Sequence, residues 1–449
     1  MKKLLNNLST THIIMFSFLA TILIGAVLLC LPQSSASGNP TPFIDALFTA
    51  TTSTCVTGLV VVPTVSHWSV FGQIVILCLI QIGGLGVITV ISSIAFYLHR
   101  KMHLSDSLLL QDAFNLNSLS GLKAFVKKVI AGSAIIEGVG ALLYMTVFIP
   151  QFGPKGIWIS LFNSVSAFCN AGIDIIAENS LCDYVTNPII NIVTCLLVVL
   201  GGLGYIVWWD VIMVLREYKT KRFRRLTLHS KIVLCATAIL IFVGAALIFI
   251  FEYSNPLTIK DFSLFDKIQA SFFQSVTTRT AGFATLPQEN LTNATSFVSL
   301  LLMFIGGSPV GTAGGIKTVT VAVLFATALA MVKNKDEISL FDRTLSKQSI
   351  NKAVSVTVIS FSIVFASTVL LCSVTHASFL NILYETVSAT ATVGLSKNIT
   401  PILNDAGKLI ITAAMYLGRV GPISLAIAFN VKKTNRNLMK NPIEEISVG

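Results

Sequence analysis

Four glycines, Gly58, Gly172, Gly282 and Gly394, carry the same surroundings. Ten residues before each stands an aromatic, Phe48, Phe162, Phe272 and Tyr384, and directly after each an apolar residue, Leu59, Ile173, Phe283 and Leu395. Leading into them are Thr54-Cys55-Val56-Thr57-Gly58, Phe168-Cys169-Asn170-Ala171-Gly172, Thr278-Arg279-Thr280-Ala281-Gly282 and Thr390-Ala391-Thr392-Val393-Gly394. Such segments suit the chemistry of stripping water from a cation. The ion must recover its lost ligands from oxygen, and rings of backbone carbonyls supply them. Glycine permits the φ values that aim successive carbonyls inward. No carboxylate occurs in the four segments, which favours carbonyl coordination of a monovalent cation over a carboxylate ring for a divalent one. Four copies in register imply a four-sided ring built from one polypeptide.

A second glycine cluster follows each segment: Gly83-Gly84, Gly201-Gly202, Gly306-Gly307 and Gly418. The third breaks the symmetry. Gly306, Gly307, Ser308, Pro309, Val310, Gly311, Thr312, Ala313, Gly314, Gly315, Ile316, Lys317 and Thr318 place five glycines and a proline inside an apolar segment. A helix interior does not tolerate that composition cheaply. The expectation is a broken helix with an irregular loop at membrane depth, which survives only beside water or inside protein. Below a filter it would obstruct the path. Arg419, between Gly418 and Val420-Gly421-Pro422, lies at bilayer depth, where an arginine costs roughly 2.5–3.5 kcal/mol. It is expected near the loop, as a pin for the broken helix or as an electrostatic barrier. Lys317 would cap freed carbonyls or reach the cytoplasmic interface. Glu137 is expected to bond a neighbouring helix. A filter-facing Arg279 would repel a cation, so its side chain should point away, with Asp266, Glu289 or Glu385 as open choices of partner.

The elements that hold these residues are membrane spans. The 449 residues are 54% hydrophobic and 11% charged, with a mean hydropathy of +0.80, against about 25% charged in soluble domains. Apolar runs long enough for about 30 Å of hydrocarbon fall near 12–31, 70–98, 129–149, 188–214, 232–252, 297–331, 353–374 and 408–430. The first follows Lys2 and Lys3 but is longer than a signal-peptide core, and the first repeat needs it as a span. The fold class read here is an all-α membrane protein, with eight transmembrane helices and four re-entrant pore helices in four helix–pore loop–helix repeats around one pore. The repeats are 10–98, 127–214, 231–332 with the gate loop 306–318, and 352–431, followed by a cytoplasmic tail 432–449. Thr41 and Ser263 are the expected N-caps of the first and third pore helices, with Pro42 opening the first and Asp45 and Asp266 in the first turns.

The net charge of +11 follows from basic loops. Lys123, Lys127, Lys128 and the run Arg216 to Lys231 lie on one side, which sets N- and C-termini in the cytoplasm of a multi-pass plasma-membrane protein. Anionic membrane lipid accounts for the charge without nucleic acid. The eight cysteines form no C-x-x-C pair and read as buried thiols. The loop mimics a nucleotide-binding P-loop, but Ile316 separates Gly315 from the lysine and the match fails. His-Glu-x-x-His and Gly-x-Ser-x-Gly are absent, so an enzyme is excluded. The alternative to a gated filter is a sodium- or proton-coupled carrier with alternating access, but such carriers usually carry inverted repeats, whereas these share one orientation.

The four glycines with their flanks, Thr278 to Phe283, the loop and Arg419 resemble the Trk/Ktr/HKT superfamily of potassium transporters, closest to the Ktr-type ion-translocating subunit. The resemblance runs over roughly residues 10–431. It implies potassium as substrate, sodium as a stimulating or symported ion, no cofactor bound by this chain, a homodimer, and a cytoplasmic ring of nucleotide-binding regulatory subunits. It implies that the loop and Arg419 together restrict permeation. Some plant relatives have serine at the first filter glycine and favour sodium, so Gly58 argues for potassium. Loops 216–231 and 333–352 and the tail 432–449 are the docking candidates, with Arg222, Arg224 and Arg225 central.

Overall fold

The computed structural model describes residues 10–87, 89–90, 122–217, 222–335 and 337–421. The ends of the expected spans 70–98 and 408–430, the basic residues of 91–121 and the tail 432–449 lie outside the described residues.

The fold is helical and repetitive. In the first repeat, α1 (Thr10–Leu29), α2 (Phe43–Cys55) and α3 (Val70–Leu85) follow one another. The second has α4 (Leu122–Phe152), α5 (Lys155–Phe168), α6 (Pro188–Leu203) and α7 (Tyr205–Glu217). The third has α8 (Leu228–Glu252), α9 (Leu264–Thr277), α10 (Asn293–Phe304) and α11 (Thr318–Val332). The fourth has α12 (Lys347–Val374), α13 (Phe379–Thr390) and α14 (Asp405–Val420). A two-residue hairpin, Ser339–Leu340 with Arg343–Thr344, is the only strand pair among the described residues.

Among the described residues, α1, α4, α8 and α12 are long and apolar enough to cross a membrane, and α6 with α7 forms a fifth candidate bent by 98°. α3, α10 and α11 are shorter apolar helices of 10–17 residues. The molecule is inside-out relative to a soluble domain. Ile24, Phe242 and Phe361 are exposed on the outside, while Thr51, Thr52, Ser53 and Thr54 are buried within. So much apolar surface facing outward suits a hydrocarbon solvent, and the hydroxyls within mark a polar interior.

The pore helices α2, α5, α9 and α13 are 12–14 residues long, about 20 Å at 1.5 Å per residue. That is too short for a bilayer. The first, second and fourth are clamped between the flanking helices of their repeats, whereas the third, α9, packs against α8 and against α6 of the second repeat. Ser263 caps α9, accepting from the Asp266 backbone N–H at 3.2 Å. The first pore helix differs from expectation. Pro42, not Thr41, occupies the N-cap position, and the helix starts at Phe43. The Thr41 hydroxyl is instead taken by His67 Nε2 at 3.0 Å, so a tertiary partner displaces a local cap. Asp45, in the first turn, pairs with Lys408 of α14 at 2.6 Å.

The expected span 188–214 is bent rather than straight. Gly204, at φ +89°, turns the chain between α6 and α7, and the Tyr205 N–H is taken by the Val310 carbonyl at 2.9 Å. The same conformation recurs at Gly86 (φ +89°) and Gly421 (φ +90°), each three residues past the second glycine of its repeat. These turns are a shared device that the sequence reading did not single out.

Candidate ion pathway

The four segments end their pore helices in one conformation. Two residues before each glycine, Val56, Asn170, Thr280 and Thr392 all take φ between +52° and +69°. Non-glycine residues rarely adopt that region, and four in identical register are over-determined by their surroundings. The glycines follow at φ +99°, +62°, +83° and +99°. Each left-handed residue redirects the peptide planes after it, so the carbonyls of every segment are aimed by the same sequence of turns.

The segments close on each other in a ring. A methyl group built on Gly58 would lie 2.5 Å from the Ala171 carbonyl oxygen, and one on Gly172 would lie 2.6 Å from that of Ala281. One on Gly282 would overlap the Val393 carbonyl, and one on Gly394 the Thr57 carbonyl. The contacts therefore run from the first repeat to the second, third and fourth, and back to the first. A side chain at any of the four positions would force the facing carbonyl to shift.

Hydroxyls buttress the ring from behind. Six residues before the glycine, Thr52 Oγ1 accepts from the Gly58 N–H at 2.9 Å, and Ser388 Oγ from the Gly394 N–H at 3.0 Å. Ser166 accepts from the Ile173 N–H at 3.2 Å and donates to the Ile173 carbonyl at 2.5 Å. The third repeat has Val276 there, and its neighbour Thr277 donates to the Phe283 carbonyl at 2.6 Å. The residues after the glycines, Leu59, Ile173, Phe283 and Leu395, are all buried. Of the aromatics ten residues earlier, Phe48, Phe162 and Tyr384 are buried. Phe272 is only partly so, because Phe273 takes the inward place.

On one side the four glycines line a single cavity of about 440 Å³, together with Asp174, Glu178 and Glu289 and with no lysine or arginine. A concave, acidic mouth raises the local concentration of cations. On the other side lies the broken helix. α10 ends at Phe304 and α11 begins at Thr318. The limbs between them are tied by Ile316 N–H to Phe304 carbonyl (3.1 Å), Gly307 N–H to Gly314 carbonyl (3.3 Å) and Thr318 N–H to Gly307 carbonyl (3.0 Å). Ser308 and Thr318 share a hydroxyl–hydroxyl bond of 3.0 Å.

The loop touches the second and fourth repeats directly, and Arg419 ties it to the first. Thr312 donates its hydroxyl to the Phe168 carbonyl at 3.1 Å and its N–H to the Gly201 carbonyl at 3.1 Å. Ser308 N–H reaches the Gly202 carbonyl at 2.9 Å. A methyl group on Gly314 would overlap Thr392 and lie 2.6 Å from the Ala391 carbonyl. A methyl on Gly311 would lie 2.8 Å from the Gly201 carbonyl. Gly315 takes φ +66° and Val310 φ +61°. Pro309 removes an N–H that a continuous helix would need, and its carbonyl is in contact with Gly204.

Three cations bind this region, all through backbone carbonyls. Arg419 donates to the Thr312 carbonyl and to the Gly83 carbonyl, each at 2.6 Å, joining loop and first repeat. Lys317 donates to the Ala313 (2.6 Å) and Gly314 (3.3 Å) carbonyls. Arg279 points behind its segment to the Gly306 carbonyl at 3.3 Å. None of Asp266, Glu289 and Glu385 pairs with it: Asp266 is held by Ser263, and Glu385 accepts from Ser396 at 2.6 Å and from Thr400. Glu137 accepts from Gln81 Nε2 at 3.1 Å through both oxygens, and Cys169 Sγ contacts Gln81 Oε1 at 3.4 Å. The eight cysteines are free thiols, but only Cys55, Cys169 and Cys195 are buried as expected; Cys78 and Cys372 are exposed on outward helix faces.

A helical ring of this kind has counterparts. Residues 7–440 match the TrkH family, described as cation transport protein. The chain belongs to that family. It is 41% identical to the Ktr system potassium uptake protein B of Bacillus subtilis, across 98% of this chain and 96% of the relative. It is 37% identical to the potassium/sodium uptake protein NtpJ of Enterococcus hirae, across 100% and 99%. The crystal structure of the potassium transporter TrkH from Vibrio parahaemolyticus shares the fold, with a TM-score of 0.72 at 15% identity, across 93% of this chain and 85% of that one. This TrkH-family chain is thus a multi-pass membrane transport protein, not an enzyme.

Proposed function

We propose that this chain takes up potassium through a carbonyl-lined filter formed by its four repeats, 10–98, 127–214, 231–332 and 352–431, and closed by the loop 306–318. The observation that carries the reading is the closed ring of glycine-to-carbonyl contacts with a left-handed residue two before each glycine. A relative named for potassium uptake supports the choice of ion, and one named for potassium/sodium uptake supports a monovalent cation. The Thr54, Thr57, Thr280, Thr390 and Thr392 hydroxyls are buried without a partner among the described residues. Such groups are costly to leave unpaired, and a water- or ion-filled path satisfies them.

The steps follow from the geometry. A potassium ion enters the acidic mouth and loses water. The carbonyls before Gly58, Gly172, Gly282 and Gly394 replace that water, and the C-terminal ends of the pore helices add partial negative charge. Passage inward then meets the loop and Arg419. A guanidinium beside the inner end of the filter repels the next cation, so flux requires the loop and arginine to move together. Orientation follows the basic loops, with both termini cytoplasmic.

A cytoplasmic nucleotide-binding subunit is the proposed driver of that movement, and a second copy of this chain the proposed membrane partner. The two internal docking candidates meet: Phe223 and Phe341 contact edge to face at 6.0 Å while both stay exposed. A partner seated there would engage both loops at once.

The test is growth and ion flux in a potassium-uptake-deficient cell, comparing wild type with Gly58→Ser. Wild type should restore growth on low potassium, and the variant should lose potassium preference over sodium. Unchanged selectivity with the variant present in the membrane would overturn the filter assignment.

A further inference from the structure

The third repeat departs from the others at one further place. Three residues before the filter glycine the first, second and fourth repeats carry Cys55, Cys169 and Ala391, all small and buried, whereas the third carries Arg279. The difference is matched by a change in packing one helix away. In the three regular repeats, a methyl group on Gly83, Gly201 or Gly418 would overlap the carbonyl at the end of its own pore helix, that of Thr54, Phe168 or Thr390. The second-span helix and the pore helix there meet backbone to backbone. Gly306, the equivalent in the third repeat, is instead packed against Gly314 and Gly315 of the loop. The backbone contact between filter and second span is missing, and the guanidinium of Arg279 bridges the gap to the Gly306 carbonyl at 3.3 Å.

Gly306 is where the two limbs of the loop cross. Ile305 and Ile316 form a parallel bridge beside it, and Gly307 bonds both Gly314 and Thr318 through its backbone. The Arg279 side chain is buried, its Nε has no partner, and among the described residues no carboxylate pairs with it. A buried cation with a single carbonyl partner contributes poorly to stability, so stability does not account for an arginine at this position.

We infer that Arg279 is a positioning residue that couples the third filter segment to the root of the loop, so that the loop cannot leave the path without disturbing the carbonyls of Thr278 to Gly282. Three repeats are rigid at this joint by direct backbone contact, and the third replaces rigidity with a single detachable bond. The inference rests on the reading of 306–318 as the obstruction, and the test separates the two.

Rubidium flux is measured with purified full-length protein in potassium-loaded liposomes, without any partner subunit. The chains compared are wild type, R279C (the residue of the first two repeats), R279Q, R279K, and a deletion of residues 310–314. The deletion should raise basal flux. R279C and R279Q should raise it about tenfold, the effect of losing one charge-assisted hydrogen bond, and should also lower preference for rubidium over sodium, which the deletion does not. R279K, keeping charge and donor, should return flux and preference toward wild type. If R279C fails to fold, the contrast between R279Q and R279K decides. Wild-type flux and preference in R279Q, together with a leaky deletion, would overturn the coupling and leave the gate standing. A deletion without raised flux would overturn the gate reading and the coupling with it.

Discussion

A hydroxyl six residues before a filter glycine holds the glycine's own N–H or that of the next residue in three repeats, through Thr52, Ser166 and Ser388. In the proposed filter those bonds fix the tilt of the peptide planes whose carbonyls face the ion. Replacing Thr52 by Val and Ser388 by Ala leaves the buried Gly58 N–H and the half-buried Gly394 N–H unpaired, at about 1–3 kcal/mol for the buried one. The expected outcome is a roughly tenfold fall in potassium preference over sodium, measured as competition between the ions in uptake, with the protein still in the membrane. Unchanged preference would mean that the glycines alone set the carbonyls. The four glycines themselves were legible in the sequence because they recur with the same neighbours. The buttressing hydroxyls were not, since serine and threonine fill these pore helices and nothing local distinguishes the one that turns back. The partner of Arg279 was also hidden. A backbone carbonyl has no letter in the sequence, and a search among carboxylates could only propose Asp266, Glu289 or Glu385.

Among the elements, the bend between α6 and α7 links the second repeat to the loop of the third, through the Tyr205 N–H and the Val310 carbonyl. Gly204→Ala places a methyl group against the Pro309 carbonyl at a φ that alanine rarely adopts. The strain is about 1–3 kcal/mol. We expect a lower melting temperature and a raised basal rubidium flux, because the loop loses its seat. Gly138→Ala is the matched control. It lies within α4 with nothing within 4 Å of an added methyl, and alanine is favoured over glycine in a helix by about 0.8–1.0 kcal/mol. A melting temperature equal in the two variants would remove the bend from the account. The broken helix of the third repeat was readable because five glycines and a proline admit no continuous helix. The 98° bend of the second was not, because Gly204 turns the chain only where Val310, distant in sequence, offers an acceptor. Thr41 teaches the same lesson: the local rule for an N-cap lost to His67, brought in from the far side of the pore helix.

At the scale of the whole molecule, the proposed regulatory surface is a place where two loops, proposed to be cytoplasmic, touch, with Phe223 against Phe341. Charge reversal at Arg222, Arg224 and Arg225 should abolish co-purification with a nucleotide-binding partner subunit while membrane insertion and basal flux persist. Retained co-purification would move the docking surface elsewhere. The ring also has a history written into its connectivity. Its last side is supplied by the end of the chain: Tyr416 bonds the Met15 carbonyl across 401 residues, Lys408 reaches Asp45 across 363, and Arg419 reaches Gly83 across 336. A ribosome threading this polypeptide into a bilayer therefore makes three quarters of a conduit before it makes the quarter that completes it. The arginine proposed to bar the path arrives in the same helix, α14, as the contacts that close the ring. In the proposed reading, leak and lock are therefore supplied by one helix.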